Sequence, residues 1–481
     1  MTEYAKSLRA TPTTIPGLTL WDLPVHGDNR GWFKENWQRE KMTAAGLPDF
    51  GPVQNNVSFN DSVGTTRGIH AEPWDKYVSV ATGRIFGAWV DLREGPSFGT
   101  VVTAELDPSR AVYVPRGVGN SFQTLEPNTA YTYLVNDHYS PEASYSAVNL
   151  ADETLSVPWP IPLERAALSA KDREHPRLSE VKPIPARKIL ILGAGGQLGI
   201  ALRQAYGDSR NVEFANSTDI DLTSKCIGSV RRWGDYEAVI NAAAYTAVDT
   251  AETPAGRKKA WATNVTAVTE LARIANENGL ILVNVSSDYV FDGSLPRPYR
   301  EDDELCPLGV YGQTKAAGDQ IVATIPHHYI LRTSWVIGEG RNFVRTMLSL
   351  AERGINPSVV NDQRGRLTFA SDLALAIRNL VDNRAPYGTY NFTNGGTATS
   401  WAELAREVFT LAGHDPGRVT GVSTDEYFSS ARGPVAARPL NSALDLGKIL
   451  PFSVIPDGME RLAQYVHAEV GLGRSSHGGT Q

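Results

Sequence analysis

The sequence predicts a multidomain chain in which an all-β region precedes an α/β region built on a parallel sheet. Its 481 residues correspond to roughly two to four domains of ordinary size. Residues 15–160 alternate apolar and small side chains between closely spaced turns, whereas apolar runs alternate with helical patterns after residue 187. The Pro-rich segment between these regions favours extended backbone, which predicts a linker.

The composition is typical of a soluble globular enzyme, with 41% apolar and 21% charged residues. The formal net charge of −7 makes nucleic acid a poor partner but allows a small anionic ligand in a local basic pocket. No apolar run approaches the length of a membrane span, and the first residues lack the apolar core of a signal peptide. With only two cysteines, Cys226 and Cys306, the sequence excludes a disulfide framework and predicts a cytoplasmic protein.

Short strands separated by turns predict the fold of the first region. Residues 78–92, 111–117 and 130–137 alternate apolar side chains with small or polar ones. Gly, Pro, Asn and Asp recur at intervals of about eight to twelve residues, which is typical of an antiparallel sandwich or barrel. We assign residues 1–182 to this domain and residues 183–187 to the linker.

Strands that are apolar on both faces predict the fold of the second region. Apolar runs alternate with helical segments, and they occupy residues 188–193, 238–241, 280–287 and 328–335. Such alternation indicates a parallel sheet covered by helices. We assign residues 188–470 to this domain and expect the Gly/Ser-rich tail, residues 471–481, to be disordered.

A glycine motif predicts a dinucleotide-binding site in the second domain. Gly193, Gly196 and Gly199 follow the first strand and open a helix whose first turn contains Gln197 and Leu198. Glycine permits a tight turn, lets backbone N–H groups approach a pyrophosphate and allows close packing of helix on strand. The order strand, glycines, helix favours a cofactor site over the alternative of a plain tight turn.

The sequence leaves the choice between NADH and NADPH open. No acidic residue directly follows the second strand (residues 212–216), although Asp219 and Asp221 come slightly later. An acidic side chain at that strand end would bond the ribose hydroxyl of NADH. Its displacement leaves NADPH as an alternative, and Asp221 is the candidate for cofactor contact.

Tyr311 and Lys315 predict the chemistry of the second domain. Their spacing places both side chains on one face of a helix. We expect the Lys315 ammonium to lower the pKa of the Tyr311 phenol, which would make it a proton donor or acceptor near neutral pH. Ser287 ends a preceding strand and supplies a hydroxyl that can polarise a carbonyl. Together with the glycine motif, these residues predict a carbonyl reductase of the short-chain type.

Several longer motifs resemble the dTDP-4-dehydrorhamnose reductase family over residues 188–465. They are NAAAYTAVDTAE (241–252), SSDYVFDG (286–293), PLGVYGQTKAAGD (307–319), RTSWVIG (332–338), NFVRTM (342–347), DQRGRLTFASDLA (362–374) and ARPLNSALDLGKI (437–449). The resemblance implies an extended short-chain dehydrogenase fold, in which a Rossmann domain carries a small substrate-binding subdomain. It also implies NADPH or NADH as cofactor and allows Mg²⁺ at a dimer contact, although the sequence identifies no ligands for that ion.

The same resemblance implies roles for individual residues. Tyr311 would be the proton donor and Lys315 its partner, while Ser287 stands where the family usually has Thr. Asp288 and Trp335 would line the sugar-nucleotide site. The cofactor would also contact the three residues that follow the third strand, which are Ala242, Ala243 and Ala244.

A single histidine is the strongest catalytic candidate of the first domain. His70 ends the motif Arg67-Gly-Ile-His70, just before the alternating run at 78–92. A lone histidine on a strand is more often packed or solvated than catalytic, and no other histidine lies near His70 in the sequence. Because metal-binding barrels of this type use a His-x-His pair with further ligands, we expect no metal site here.

Further motifs resemble the dTDP-4-dehydrorhamnose 3,5-epimerase family, a cupin-type jelly roll, over residues 15–182. They are DNRGWFKENW (28–37), VQNNVSFND (53–61), TTRGIH (65–70), VDLREGPSFG (90–99), NDHYSPE (136–142) and LSAKD (168–172). The resemblance implies that His70 is the base, Tyr133 the opposing acid and Asp152 the residue that orients and charge-balances His70. Lys76 or a neighbouring donor would stabilise an enolate oxygen. The residues implied to surround the sugar nucleotide are Arg30, Glu35, Gln54, Asn56, Arg67 and Lys76.

One departure from the epimerase pattern concerns a ligand contact. Asn120 stands where the family has a histidine that contacts the ligand. Asparagine can donate and accept hydrogen bonds but cannot carry a charge. Epimerisation at one position only, or an altered choice of substrate, therefore stays open.

The two chemistries belong together because both act on a hexose with a ketone at C4. The ketone acidifies the hydrogens on C3 and C5, and its reduction removes that activation, so epimerisation has to precede reduction. We therefore predict a homodimeric, bifunctional enzyme that converts dTDP-4-dehydro-6-deoxy-D-glucose into dTDP-L-rhamnose. The alternatives are a reductase with a non-catalytic or single-position epimerase jelly roll, and a non-catalytic regulatory subunit. The sequence does not distinguish dTDP from UDP substrates.

Overall fold

The computed structural model describes most of the chain, namely residues 6–139, 141, 145–209, 211–224 and 226–477. The chain divides into two compact units, Met1–Ala186 and Arg187–Gln481. This division falls at the end of the Pro-rich segment. None of the helices in the described residues combines the length and hydrophobicity that a membrane span requires.

Short antiparallel strands make up most of the first unit. They are β1 (Arg9–Pro12), β2 (Thr19–Asp22), β3 (Val25–Asp28), β4 (Gly31–Lys34), β5 (Gln54–Asn60), β6 (Thr66–Ala71), β7 (Lys76–Thr82), β8 (Ile85–Asp91), β9 (Val101–Leu106), β10 (Arg110–Val114), β11 (Val118–Thr124), β12 (Thr129–Val135) and β13 (Ser146–Ala147). Two short helices accompany them, α1 (Arg39–Ala44) and α2 (Ala170–Arg173). One sheet has the strand order β1-β2-β10-β7-β12-β5 and another has the order β13-β6-β11-β8-β9, while β3 and β4 form a separate hairpin.

Apolar side chains of the two large sheets meet in one core. Val78 and Val112 of the first sheet pack with Trp89 and Phe122 of the second in one buried cluster. Every residue of β8 is buried, because alternate residues face this cluster and the remainder face a second cluster formed with Leu150 and Leu178. The predicted all-β jelly roll is confirmed.

Strands and helices alternate along the second unit. The strands are β14 (Lys188–Leu192), β15 (Val212–Ala215), β16 (Tyr236–Asn241), β17 (Ile281–Ser287), β18 (His328–Thr333), β19 (Val336–Ile337), β20 (Ser358–Val360), β21 (Arg364–Gly365), β22 (Thr368–Phe369), β23 (Gly388–Asn391), β24 (Thr399–Ser400) and β25 (Thr420–Val422). The helices are α3 (Gln197–Tyr206), α4 (Val248–Ala251), α5 (Pro254–Trp261), α6 (Ala267–Asn278), α7 (Val310–Val322), α8 (Phe343–Glu352), α9 (Ala370–Asp382), α10 (Trp401–Leu411), α11 (Thr424–Phe428) and α12 (Gly458–His477).

A parallel sheet of order β15-β14-β16-β17-β18-β23 is the centre of this unit. On one face Leu198 of α3 and Leu373 of α9 pack against the sheet, and on the other face Leu271 of α6 does so. Successive strands are added on opposite sides of β14, so the strand order reverses between β14 and β16. The carboxyl ends of these two strands therefore flank a binding crevice. The predicted Rossmann fold is confirmed.

A smaller lobe is built from the last third of the chain. Val344 of α8, Leu404 of α10 and Leu462 of α12 share one buried cluster. Helix α12 continues to His477, within the segment from residue 471 that the sequence predicts to be a disordered tail. Extending an anchored helix costs much less than starting one, which explains how it runs into the Gly/Ser-rich sequence. Residues 478–481 lie outside the described part of the chain.

Candidate active sites

The first candidate site lies at the carboxyl edge of the parallel sheet. Ser287 ends β17 and Asp288 follows it, while Tyr311 and Lys315 lie in the first two turns of α7. These four side chains line a cavity of about 500 Å³. The same cavity is lined by other residues predicted from the sequence, which are Gln197, Leu198, Ala242, Ala244 and Trp335. The structure therefore brings the predicted reductase residues to one place.

Burial determines the protonation state of Tyr311. The residue is 9% exposed, and burial raises the pKa of its phenol above the ordinary range, although a hydrogen bond with Ser287 opposes this shift. The carboxylate of Asp288 raises this pKa further. The expectation that Lys315 lowers this pKa is wrong, because burial outweighs any such effect and the Lys315 amine donates elsewhere. A phenol that keeps its proton at neutral pH is suited to act as an acid.

The amine of Lys315 is buried between backbone and a carboxylate. Its Nζ donates to the carbonyl oxygen of Val285 at 2.5 Å. Burial lowers the pKa of Lys315 to about 8, and the charge of Asp319 opposes this shift. Asp319 also accepts a hydrogen bond from Nε of Arg332 at 3.0 Å. Lys315 therefore changes its charge just above neutral pH.

A π-helical turn holds the start of α7 in place. Residues Ala262–Thr266 form this turn between α5 and α6 and direct the buried amide of Asn264 toward α7. Its Nδ2 donates to Oγ1 of Thr314 at 3.0 Å and to the carbonyl oxygen of Tyr245 at 3.1 Å. Because Thr314 directly precedes Lys315, this network fixes the helical turn that carries both candidate catalytic residues.

Ser287 and Asp288 are coupled by a hydrogen bond at the end of β17. The Ser287 hydroxyl donates to Oδ1 of Asp288 at 2.9 Å. Burial raises the pKa of Asp288 to about 6, although hydrogen bonds from Ser442 and Ser287 oppose the shift. The carboxylate is therefore charged at neutral pH and becomes neutral in mildly acidic solution.

The glycine turn has the shape required to hold a dinucleotide. Gly196 caps α3 without a side-chain hydrogen bond, so first-turn N–H groups need another acceptor. A Cβ on Gly199 would lie 2.2 Å from the carbonyl oxygen of Gly193, so only glycine permits this close packing. The turn also lines a second cavity of about 410 Å³, together with Ala243 and Asp221. These features fit a bound pyrophosphate with an attached nucleoside.

Asp221 lies on the wall of this second cavity, away from the glycine turn. Its Oδ1 accepts hydrogen bonds from the backbone and the hydroxyl of Thr223 at 2.9 and 2.7 Å. These bonds hold the pKa of Asp221 below its ordinary value. A charged carboxylate therefore faces the cavity at neutral pH.

Two stacked indoles form the wall between the first cavity and a third one. The rings of Trp335 and Trp401 are stacked with centroids 3.7 Å apart. Trp335 has φ of +47°, a conformation that costs bulky residues about 1–3 kcal/mol. Trp401 also lines the third cavity, of about 440 Å³, together with Phe428 and Arg438. The strained backbone of Trp335 is therefore held in place by its stacking partner, at a cavity that can take a large ligand.

The second candidate site lies on β6 of the jelly roll. Nε2 of His70 is 2.9 Å from Oδ1 of Asp172, which belongs to α2. The hydroxyl of Ser169 accepts the Asp172 N–H and caps this short helix. With Nε2 of His70 engaged by a carboxylate, Nδ1 is the ring nitrogen that can accept a proton.

Asp152 does not orient His70, contrary to the prediction. One of its oxygens accepts the N–H groups of Thr154 and Leu155, and the other accepts the N–H of Leu178. Although burial opposes the shift, these bonds hold the pKa of Asp152 below its ordinary value. Asp152 therefore organises a loop. Asp172 lies beside His70, in the position that was expected for Asp152.

His175 lies beside His70 in the fold. The expectation that no other histidine is near His70 holds along the sequence but is wrong for the folded chain. The rings of His70 and His175 have centroids 5.1 Å apart and are nearly perpendicular. Nε2 of His175 is 3.9 Å from Oδ1 of Asp172. Burial lowers the pKa of His175, and the nearby His70 lowers it further. The fold causes this proximity, because α2 packs against β6.

Tyr133 and Lys76 belong to the sheet opposite His70. Lys76 Nζ lies 5.5 Å from the centre of the Tyr133 ring and forms an ion pair with Glu72. Burial lowers the pKa of Lys76, while the charge of Glu72 opposes this shift. Burial and Glu72 raise the pKa of Tyr133, and Arg67 acts against them. The site therefore places a buried amine, paired with Glu72, beside a phenol whose pKa is raised.

Asn120 links the two sheets beside His70. It is the cross-strand partner of His70 in the pairing of β11 with β6. Its Oδ1 accepts hydrogen bonds from Nε1 of Trp89 at 3.0 Å and from the Tyr131 hydroxyl at 3.1 Å. Because both bonds use the oxygen, the amide is oriented and its NH₂ group is left to donate.

Two predicted substrate residues lie on or next to the exposed β3–β4 hairpin. The Arg30 guanidinium bonds Asp28 at 2.5 Å at the turn of this hairpin. Glu35 follows the hairpin and accepts a hydrogen bond from Lys41 at 2.5 Å. Within the described residues, the hydrogen bonds of these two side chains are with neighbours in sequence and do not join them to His70.

The other predicted substrate residues of this unit lie closer to the sheets. Gln54 and Asn56 are on the edge strand β5, and their side chains bond each other at 2.7 Å. Nε of Arg67 donates to Oδ1 of Asn60 at 3.2 Å, and the Arg67 charge acts on the pKa of Tyr133. Arg67 is thus brought to Tyr133, whereas Gln54 and Asn56 lie at the sheet edge.

Several neighbours of the two sites were not identified from the sequence, and only some had a recognisable signal. Asp172 lies within the LSAKD motif, and Asp319 lies four residues after Lys315, a spacing that predicts contact on a helix. Trp401 directly follows Ser400, the N-cap residue of a Ser/Glu capping box, and this pattern only indicates the start of a helix. Neither His175 nor Asn264 had a signal, because non-local packing and a π-helical turn place them.

Two family models match this chain, one in each unit. Residues 187–466 match the family described as RmlD substrate binding domain. Residues 12–180 match the family described as dTDP-4-dehydrorhamnose 3,5-epimerase. The two matches do not overlap and together include every candidate site residue.

Individual relatives agree with these matches. Protein RmlC homolog of Streptococcus pyogenes serotype M6 is 50% identical over 182 residues, which are 36% of this chain and 91% of that protein. A dTDP-4-dehydrorhamnose reductase of Aggregatibacter actinomycetemcomitans is 37% identical over 297 residues, which are 58% of this chain and 98% of that protein. A crystal structure of dTDP-4-dehydrorhamnose reductase from Bacillus anthracis in complex with NADP is 32% identical, with a TM-score of 0.54, and covers 59% of this chain and 99% of that one. The chain therefore belongs to the RmlD substrate binding domain family through its second unit and to the dTDP-4-dehydrorhamnose 3,5-epimerase family through its first.

Proposed function

We propose that the chain is a bifunctional enzyme that epimerises C3 and C5 of dTDP-4-dehydro-6-deoxy-D-glucose and then reduces the C4 ketone to give dTDP-L-rhamnose. The observation that carries this proposal is that each unit has its own proton-transfer pair. His70 lies 2.9 Å from Asp172 in the first unit, and Tyr311 and Lys315 share one cavity in the second. The names of the relatives, an RmlC homolog and dTDP-4-dehydrorhamnose reductases, support this substrate class.

In the epimerase half, His70 removes a proton from the carbon next to the ketone. Nδ1 accepts this proton, and the Asp172 carboxylate stabilises the imidazolium that results. The ammonium of Lys76 stabilises the negative charge that develops on the enolate oxygen. Tyr133 keeps its proton at neutral pH and donates it to the opposite face of the carbon. These four residues are sufficient to invert one centre, and the same set acts again on the second.

In the reductase half, Tyr311 protonates the oxygen that was the ketone. A bound reduced nicotinamide dinucleotide supplies the hydride for C4. With substrate bound, the Ser287 hydroxyl turns from Asp288 and donates its hydrogen bond to the same oxygen, and Tyr311 transfers its proton as charge develops there. Lys315 provides a nearby positive charge, and the Asn264 network keeps its helical turn in position. Burial of Tyr311 keeps this proton on the phenol until the oxygen requires it.

The glycine turn and the three alanines would hold the dinucleotide. The N–H groups at the start of α3 would bind its pyrophosphate, and Asp221 would contact its adenosine ribose. NADPH and NADH are both accepted in this proposal, with Asp221 favouring NADH through its charge. A Mg²⁺ ion in the reductase half stays a prediction, since in the described chain the one group of three candidate ligands lies in the first unit.

Proton NMR of the sugar nucleotide in deuterium oxide tests both activities of the full chain. Without reduced cofactor we expect deuterium at C3 and C5, and with it the product 6-deoxy-L-sugar. His70→Asn should remove the deuterium uptake, whereas His467→Asn, which removes an exposed imidazole of α12, should leave it unchanged. Unchanged uptake in His70→Asn would overturn the epimerase assignment.

A second candidate function is epimerisation at a single carbon, which the orientation of Asn120 favours. Its amide presents only an NH₂ donor to the site, whereas the histidine expected there can also carry charge. If one centre requires that charge, deuterium will enter at only one of C3 and C5. The same NMR experiment separates the two functions, because each carbon has its own signal.

We also propose that the chain forms a homodimer in the cytoplasm. Strand β5 is the edge of its sheet, and Val57 and Phe59 on it are 65% and 57% exposed. Long apolar edge strands are normally covered, and pairing with a second copy would cover this one. Light scattering after size exclusion should give twice the chain mass. Phe59→Lys should shift that value toward the monomer.

A further inference from the structure

Three side chains of the jelly roll form a group of potential metal ligands. His70, Asp172 and His175 each offer one ligand atom, and these atoms lie within 4.8 Å of one another. Nε2 of His70 and Nε2 of His175 are 2.9 and 3.9 Å from the same oxygen of Asp172. Two imidazoles and a carboxylate are ligands that zinc and similar divalent metals prefer.

The distances in this group suit a tetrahedral ion. Zinc bonds of about 2.0–2.1 Å place tetrahedral ligand atoms roughly 3.3 Å apart. One observed separation is slightly shorter than this value and the other is slightly longer. The third separation, between the two imidazoles, is within 4.8 Å, so side-chain rotations that bring the imidazoles closer together would place the three atoms in one coordination shell, which water can complete.

His175 provides an independent reason to expect a ligand. Its side chain is 7% exposed, and neither ring nitrogen has a partner at full hydrogen-bond geometry, although a hydrogen bond with the Gly68 backbone acts against the burial that lowers the pKa of His175. A buried polar group without a partner is costly, so it usually has one that binds it. A metal bond to Nε2 would satisfy this nitrogen. The His70 side chain is 39% exposed, which gives an ion access from solvent.

We propose that His70, Asp172 and His175 bind a divalent transition-metal ion such as Zn²⁺, and that this ion reversibly inhibits the epimerase half. The metal takes the place of the ring proton on Nε2 of His70, and that proton moves through water to Nδ1. Nδ1 then carries a hydrogen and cannot accept a proton from carbon. The inference rests on the proposed function of His70 as a base, and it leaves the reductase half unaffected.

Deuterium uptake by the full chain, measured with increasing Zn²⁺ and no reduced cofactor, tests the inhibition. We expect Zn²⁺ to stop the uptake and EDTA to restore it. His175→Ala should show normal deuterium uptake without metal. Its inhibition should require at least about tenfold more Zn²⁺, because one ligand is lost. His467→Ala is the control that removes an unrelated imidazole, and it should respond as the unmodified chain does.

Calorimetric titration of Zn²⁺ into the metal-free full chain tests binding without reference to activity. We expect one site in the unmodified chain, and we expect its loss in both His175→Ala and His175→Gln. Equal Zn²⁺ binding in these variants, or uptake that Zn²⁺ does not change, would overturn the proposal. A chain that binds Zn²⁺ at His175 but shows no deuterium uptake at all would instead contradict the epimerase function.

Discussion

The two candidate sites differ in how far their proton-transfer groups are exposed to water. The His70 side chain is 39% exposed, whereas Tyr311 is 9% exposed and burial raises its pKa. A base that removes protons from carbon has to exchange them with solvent. An acid that neutralises one developing alkoxide works best where water is excluded. The group that exchanges protons with solvent is therefore the exposed one, and the group that delivers a single proton to the ketone oxygen is the buried one.

The sites also differ in how their partners are brought together. Lys315 and Asp319 lie four residues apart on α7, so local helix geometry places them. His70 and Asp172 are 102 residues apart, and only the fold of the jelly roll joins them. Sequence spacing therefore predicts the contact between Lys315 and Asp319, whereas the contact between His70 and Asp172 depends on long-range packing.

Tyr311→Phe is the substitution with the largest expected effect on the comparison. Removing the buried acid should lower the rate of ketone reduction by about 10²–10⁴-fold, because Tyr311 is the residue proposed to protonate the oxygen. Deuterium uptake at C3 and C5 should not change, since Tyr311 belongs to the other unit. Oxidation of NADPH at 340 nm and NMR of the sugar measure the two effects. A parallel loss of uptake would show that the two sites are not independent.

Asp172→Asn and Asp152→Asn distinguish a positioning carboxylate from a structural one. Asp172→Asn should lower deuterium uptake roughly 10²-fold, because asparagine stabilises neither the required tautomer of His70 nor its imidazolium. Uptake is measured by NMR, with circular dichroism as the control for folding. A variant that exchanges deuterium at the normal rate would remove Asp172 from the proposed mechanism.

Asp152→Asn should have the opposite profile. It weakens the hydrogen bonds to the N–H groups of Thr154, Leu155 and Leu178, so we expect the free energy of unfolding to fall by about 1–3 kcal/mol. Urea unfolding followed by tryptophan fluorescence measures this change. Uptake by the folded protein should stay normal, and a large loss of uptake would return Asp152 to the active site.

These carboxylates illustrate what sequence reasoning could and could not provide. The strand end at Ser287 and the spacing of Tyr311 and Lys315 are local patterns, so the sequence predicted that they would share one site. Choosing Asp172 instead of Asp152 would have required knowing which distant segment packs against β6. No periodicity of the sequence contains that information. His175 is hidden for the same reason, because α2 brings it to His70.

The fold could be predicted further than the electrostatics. Strand alternation identified the jelly roll, and apolar strands between helices identified the parallel sheet. The pKa of Tyr311 was predicted in the wrong direction, because burial outweighs the nearby ammonium and burial of a side chain follows from tertiary packing.

The pH dependence of reduction provides a smaller effect that sharpens the contrast. Lys315 carries its charge below a pKa of about 8 and loses it above, so the reduction rate should fall as the pH rises through about 8. Asp319→Asn removes the charge that raises this pKa, so the fall should move to lower pH by roughly one unit. Reduction rates of the unmodified chain and of Asp319→Asn between pH 6 and 10 measure the pH at which each rate falls. A fall at the same pH in both proteins would exclude Lys315 as the titrating group.

The smallest expected effect concerns cofactor choice at Asp221. This carboxylate is charged and lines the cavity proposed for adenosine, so it should repel the additional phosphate of NADPH. Asp221→Asn should raise kcat/KM for NADPH relative to NADH by roughly three- to tenfold, and the gain should shrink at high salt because exposed charges are screened. Asp219→Asn is the matched control, because Asp219 instead accepts the N–H of Asn216. Equal ratios in the two variants would place the adenosine ribose away from Asp221, and the reductase site would then select its cofactor by shape instead of charge.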